Sequence, residues 1–299
     1  MRYLFFICVI VLAAFLYNNP QTRNAYHHRA HDVYGIDVAH YQENIDWQKV
    51  EGDNISFAFV KATEGETHVD SHFHKNWSEL ARTSIKRGVY HFFRPSIDAQ
   101  KQAIHFIRTV KLKPGDLPPV LDIEVTDNRT HEDVVKGVAV WLDMVEKHYG
   151  VRPIIYSGLN FHKKYLANSF PNHYVWIASY GWRSPQLANR QPWTFWQYTD
   201  KGNVKGIAKA VDINAFNGNF FALNRLGVPD PNNPFSPQMN IPGQNPQIDL
   251  GDVLKLGKQL LSPHSIQPSQ PLSQTGSASG SVNDTLNNPA GIVTKPLSP

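Results

Sequence analysis

Between residues 33 and 216 short apolar runs of strand character are interleaved with segments of helical period. That alternation narrows the fold more than any other feature of the chain. The strand candidates are VYGIDVA (33–39), ISFAFVKA (55–62), GVYHFF (88–93), PVLDIE (119–124), PIIYS (153–157), YVWIAS (174–179), TFWQYT (194–199) and AVDINAF (210–216). Helical periodicity falls at 74–86, 98–111 and 131–149, each between two strands. Alternation of this kind predicts parallel strands joined by helical crossovers. Eight strands predict closure into a barrel, but the later connections are too short for full helices. The expected fold is therefore α/β: an irregular (β/α) barrel, TIM-barrel-like, with eight strands and reduced helices in the C-terminal half. Such a barrel carries its chemistry at the C-terminal ends of the strands.

The segment PPVLDIEVTD (118–127) sharpens this. Side chains alternate along a strand, so Leu121, Ile123 and Val125 share one face while Asp122 and Glu124 share the other. Burying two unpaired acids costs several kcal/mol, by order of magnitude, unless they are neutralised, paired or wetted. Other polar residues fall near the same strand ends: Asp37, Lys61, Glu64, Tyr90, His91, Tyr156, Tyr180, Gln197, Tyr198 and Asp212. First and last strands are neighbours in a closed barrel, which predicts that Asp37 and Asp212 lie together. The acids of LDIE are thus expected to face a solvated mouth shared with other acids. Crowded carboxylates raise one another's pKa, so one can stay protonated as a general acid while another stays anionic. Glycosidic bond cleavage uses that pairing, although Asp-x-Glu alone also fits exposed or ion-paired acids.

In chain order, YGIDVAHYQENIDW, FAFVKATEGETHVDSHFHKNW, RGVYHFF, PVLDIE, PIIYSG, WIASY, FWQYTDKG and VDINAFNG resemble the motifs of glycoside hydrolase family 25 lysozymes. The resemblance runs from about residue 34 to 218. It implies hydrolysis of the β-1,4 bond between N-acetylmuramic acid and N-acetylglucosamine in peptidoglycan glycan strands, with no cofactor. It also implies Glu124 as general acid/base and Asp122 as its assistant, stabilising an oxazolinium ion or acting as nucleophile. Asp37 and Asp212 become the flanking carboxylates, and Tyr90 and Tyr156 line the subsite of the reacting sugar. The family's wall-binding tail modules have no counterpart here, and the tail shows no repeats. Two rival functions are a non-catalytic peptidoglycan-binding module on the same fold and a metal-dependent hydrolase using the acids as hard-cation ligands.

Aromatic rings are platforms for sugar faces. Tyr180 and Trp196 are candidates for that role, with Gln197 and Glu64 as polar contacts; core packing for Trp196 and a Lys61 ion pair for Glu64 are the alternatives. Trp141 and Trp77, in helical patterns, are expected in the core, and Trp182 could rim the cleft. His91 fits either a buried hydrogen-bonded role or a substrate contact. The run HVDSHFH (68–74) matches no strong zinc spacing, so no metal is expected.

The domain plan places a signal peptide or short membrane anchor at 1–17, a polar spacer at 18–32, the catalytic domain at 33–226 and a Pro/Ser/Asn/Gln-rich tail, expected to be disordered, at 227–299. The apolar stretch from Tyr3 to Tyr17 is short for a membrane span, which needs about 20 residues, and suits a secretory signal; a membrane tether is the alternative. The one Cys, Cys8, lies in it, so the folded part forms no disulfide. Export to the cell envelope, periplasmic or secreted, is expected. With 29 Lys and Arg against 25 Asp and Glu the chain is only mildly basic and has no basic run, which gives nucleic acid no special support. A monomer is expected.

Overall fold

The computed structural model describes residues 31–181, 183–230 and 232, with residues 6–7, 9–12, 15 and 19 nearer the N-terminus. Most of the expected signal or anchor segment and spacer, Trp182 and nearly all of the tail lie outside the described residues. The chain divides into Met1–Pro246 and Gln247–Pro299, and the second unit also falls outside them. Among the described residues no helix is long and apolar enough to cross a membrane.

All eight expected strands form: β1 (Tyr34–Val38), β2 (Phe57–Glu64), β4 (Lys86–Phe92), β5 (Val120–Asp122), β6 (Ile154–Gly158), β7 (Tyr174–Ala178), β8 (Phe195–Gly202) and β9 (Val211–Phe216). They close in the order β1-β9-β8-β7-β6-β5-β4-β2, with β2 returning to β1. A two-residue strand, β3 (His68–Val69), pairs antiparallel with the end of β2. The sequence reading missed this hairpin, which turns at Gly65 in the left-handed region (φ 57°).

The expectation of a fully parallel barrel is corrected at one strand. β9 runs antiparallel to both β8 and β1. A parallel return needs a crossover of roughly a dozen residues or more, and only residues 203–210 separate β8 from β9. The chain therefore folds back as a hairpin. Reversal puts the beginning of β9 at the rim where the other strands end, and Asp212 pairs directly with Asp37.

Period-two alternation then sorts the wall. Ile36, Val38, Ala58, Val60, Val89, Leu121, Ile123, Ile155, Val175 and Ile177 pack outward in one buried cluster with the helices. Phe57, Phe59, Val120, Ile154, Trp176, Phe195 and Phe216 point inward and plug the barrel. Gly35 and Gly88 make room for that plug, since a Cβ at either would strike the ring of Phe57 or Phe59. Above the plug the inward positions become polar, and that change of chemistry makes the mouth.

Helices Phe73–Leu80, Ala99–Thr109 and His131–Tyr149 cover the first half. The last matches its expected limits because both ends are encoded locally. Thr130 caps its N-terminus by accepting from Asp133 N, and Gly150 ends it in the left-handed region (φ 67°). Its buried face, Val134, Val138, Trp141, Leu142 and Val145, follows the 3.6-residue period. Among the described residues the second half has only the short helical segments Leu159–Phe161, His162–Leu166 and Phe220–Asn224. Backbone bonds from Val228 N to Asp116 O (2.7 Å) and Gly115 N to Val228 O (2.9 Å) tie the last described stretch to the barrel floor.

Candidate active site

A cleft of about 590 Å³ opens at the mouth, lined by Asp37, Lys61, Glu64, Tyr90, Asp122, Glu124, Tyr156, Tyr180, Gln197 and Asp212 among others. Nine of the ten site residues read from sequence are in that lining. The exception is Trp196, which is 1% exposed on the outer face of β8. Its indole donates to Ser179 O (2.8 Å) and packs edge-on against Trp193 and Tyr198. It is a core residue, because Gln197, one position on, takes the inward side. His91 is also turned outward; it bonds Thr63 Oγ1 (2.7 Å) and Gln102 Oε1 (3.2 Å), stacks on Trp141, and burial holds its pKa down to about 3.

Two carboxyl pairs organise the mouth. In the first, buried Asp37 accepts from Gln197 Nε2 (2.9 Å), from Asn214 Nδ2 (2.7 Å) and from the Asp212 carboxyl. Burial raises the pKa of both acids, and the neighbouring Asp37 charge adds to it at Asp212, which is pushed up to about 9. The proton between them sits on Asp212, which donates it to Asp37, and Asp37 accepts two amide donors besides. Those amides are themselves fixed: Tyr156 and Tyr180 hydroxyls donate to Gln197 Oε1 (3.0 and 2.7 Å), and Trp176 Nε1 donates to Asn214 Oδ1 (2.8 Å).

The second pair is Asp122 and Glu124. Asp122 ends β5, beside Phe92 of β4 and Tyr156 of β6. Glu124 was expected inside the strand, but it lies two residues beyond its end and is exposed as a residue, while its carboxyl is turned into the cleft and partly desolvated there. The two carboxyls are hydrogen-bonded to each other. Burial is the first cause of a raised pKa at both, and it acts harder on Asp122, which is only 5% exposed. Asp122 Oδ1 is buried and has no protein donor. Tyr90 and Tyr156 are kept neutral by burial and by these acids.

Glu64 reaches the cleft, yet both its oxygens are engaged by cations: Lys61 Nζ (2.8 Å) and Arg94 Nη1 (3.4 Å). Glu64 thus lines the cleft and also makes the ion pair with Lys61. Sequence reasoning missed Asn214, Trp176, Tyr41, Arg94 and Asp200, which the structure puts at or around the site. Period-two spacing from Asp212 could have found Asn214; nothing local marks the others. In the HVDSHFH run, Asp70 is buried and accepts from His40 N (3.1 Å), with His40 Nδ1 at 2.7 Å and His72 N at 2.9 Å. Among the described residues no group of three or more His, Cys, Asp or Glu could hold a metal ion.

A barrel mouth with two proton-sharing carboxyl pairs, one exposed acid and an aromatic, hydroxyl-rich lining defines a carboxylate glycosidase. Residues 36–207, more than half of the chain, match Glycosyl hydrolases family 25. The chain belongs to that family and is a glycoside hydrolase. An uncharacterised Escherichia coli protein, YegX, is 44% identical over 194 residues, covering 63% of this chain and 71% of that one. Lysozyme M1 of Streptomyces globisporus is 33% identical over 211 residues, covering 65% and 71%. Among solved structures, a family 25 glycosyl hydrolase from Bacillus anthracis superposes with a TM-score of 0.63 at 40% identity, over 66% of this chain and 94% of that one.

Proposed function

We propose that the chain is a peptidoglycan hydrolase of lysozyme type, cutting the β-1,4 bond between N-acetylmuramic acid and N-acetylglucosamine. The observation that carries this is the asymmetry of the Asp122–Glu124 pair: Glu124 is an exposed residue beyond the strand end, and Asp122 is buried with an oxygen that has no protein donor. Glu124 protonates the leaving glycosidic oxygen. The 2-acetamido oxygen of the muramic residue attacks its own anomeric carbon, forming an oxazolinium ion. Asp122 accepts the acetamido N–H at Oδ1 and stabilises the positive charge. A hydrogen bond to the anion favours the anion, so binding of that N–H moves the shared proton from Asp122 to Glu124, where the first step needs it. Glu124, now a carboxylate, takes a proton from water as the water opens the ring. Asp37, held under its two amides, stabilises charge at the sugar, and Tyr90, Tyr156 and Tyr180 shape its subsite.

The enzyme works at the cell envelope, as a monomer, with the segment up to Tyr17 acting as export signal or tether. Glu124→Gln tests the assignment. The amide is nearly isosteric but supplies no proton, and general acid catalysis is worth roughly 10²–10⁴-fold. Turnover of purified peptidoglycan should disappear with thermal unfolding unchanged, and mass spectrometry of wild-type products should show muramic acid at the reducing end. Activity above about a tenth of wild type would rule Glu124 out as proton donor, and N-acetylglucosamine at the reducing end would assign a different bond.

A further inference from the structure

Lys61 is a buried ammonium in an acidic cleft, and the mechanism proposed above gives it no task. It is 7% exposed, at an inward position of β2 beside Tyr90 in register. Its ammonium lies 5.1 Å from the Phe92 ring centre and donates to Glu64 Oε2 (2.8 Å). In a regular strand residues i and i+3 face opposite sides. The β2–β4 register slips between Lys61 and Thr63, and this bulge turns Lys61 and Glu64 to the same side, into the cleft. Bulges beside active sites commonly re-aim a side chain in this way.

Glu64 in turn meets Arg94, and Arg94 grips Asp127 through Nε (3.0 Å) and Nη2 (2.9 Å). Asp127 also accepts from Ser96 N and Oγ, and sits three residues after Glu124 at a left-handed turn (φ 47°). The chain Lys61–Glu64–Arg94–Asp127 thus links the end of β2 to the loop that carries Glu124. Arg94 is taken up by two carboxylates, whereas the Lys61 ammonium sits over the ring of Phe92, the residue in register with Asp122, and shares the cleft with both catalytic acids.

We propose that Lys61 is a positioning residue for the catalytic pair: its buried ammonium, aimed by the β2 bulge and moderated by Glu64, keeps one of Asp122 and Glu124 ionised. This rests on the roles proposed above for those two acids. The charged and titratable groups sharing the cleft with the pair are Asp37 from β1, Tyr41 after it, Lys61 and Glu64 from β2, Tyr90 from β4, Arg94 after it, Tyr156 from β6, Tyr180 after β7, Asp200 from β8 and Asp212 from β9. With Arg94 held by Glu64 and Asp127, Lys61 lowers the proton affinity of Asp122 and Glu124, opposing burial and Asp37.

The test uses three variants of the full chain, Lys61→Met, Lys61→Arg and Glu64→Gln. Each is read by the pH dependence of kcat/KM on a soluble muramyl oligosaccharide and by carboxyl ¹³C NMR titration of Asp122 and Glu124. Lys61→Met should move both limbs of the profile upward, by about 1 pH unit, the order of shift that a nearby opposite charge produces. Glu64→Gln removes the moderating anion and should move them downward. Lys61→Arg, which keeps the charge, should restore the wild-type midpoints to within about 0.3 unit, judged against the same range. Loss of a merely structural contact would lower the rate without opposite shifts. Shifts in one direction, or none, would overturn the proposal. If Lys61→Met fails to fold, an unshifted Glu64→Gln overturns it alone. Should Glu124→Gln prove active, the assignment of the acids falls, while the carboxyl titration still reports whether Lys61 governs their ionisation.

Discussion

Replacing Asp212 by Asn should make the protein more stable while impairing catalysis, and the gain should grow with pH. In the native state burial and the Asp37 charge hold the Asp212 proton up to about pH 9, against an ordinary value of 3.8. Between those limits the unfolded chain has released a proton that the folded one keeps. Stability therefore falls as pH rises through this window, by about 1.4 kcal/mol per unit for one such group. The contribution is fully present below the unfolded pKa. By pH 7 about three units of the window have been crossed, so this carboxyl costs on the order of 4 kcal/mol. An Asn at 212 has no proton to lose and can still donate to Asp37. Equilibrium urea unfolding of wild type and Asp212→Asn, at half-unit steps from pH 5 to 8, cancels the titrations remote from the site and leaves those of the Asp37–Asp212 pair. The stability difference should open in favour of Asn with a slope near 1.4 kcal/mol per unit. A flat difference, or a variant that loses ground as pH rises, would show that Asp212 is ionised in the fold and refute the shared-proton account of the first pair.

Trp196→Ala should cost about 3–5 kcal/mol of stability, as core indole truncations do, and leave KM of the folded fraction unchanged; a raised KM at full stability would return Trp196 to the cleft. Tyr180→Ala should do the reverse. Its ring is 47% exposed at the mouth, and loss of a stacking contact worth ~1.4 kcal/mol raises KM about tenfold with little change in melting temperature. NMR of the first-formed product should show the β anomer, since intramolecular attack followed by water inverts the centre twice; an α product would exclude the oxazolinium route, and a sugar trapped covalently on Asp122 would make that residue a direct nucleophile.

The carboxylates were legible in the sequence because a strand writes its two faces into alternate letters. Asp122 and Glu124, Asp37 after Gly35, and Asp212 before Asn214 all break an apolar rhythm where the inward face leaves the plug and enters the mouth. Trp196 was not legible for the same reason seen from the other side. An aromatic residue fits either face of a wall, and only the direction taken by Gln197 settles which one it occupies. The scarcity of helices in the second half was read from the sequence, but the reversal of β9 that the last, short link forces went unread.

Local chemistry accounts for strand and helix positions, caps and the identity of the acids, because each depends on neighbours within a few residues. Thr130 and Gly150 bound their helix wherever it packs. The protonation of the site does not arise that way. Asp37 meets Gln197 and Asn214 across sequence separations of 160 and 177 residues, and its pairing with Asp212 exists only because β9 closes the barrel antiparallel to β1. Desolvation, the leading cause of every raised carboxyl here, belongs to the enclosed mouth. Burial and through-space charge depend on what the closed barrel brings together, so the acids can be read along the chain, but which of them keeps a proton is set by the ring of strands around them.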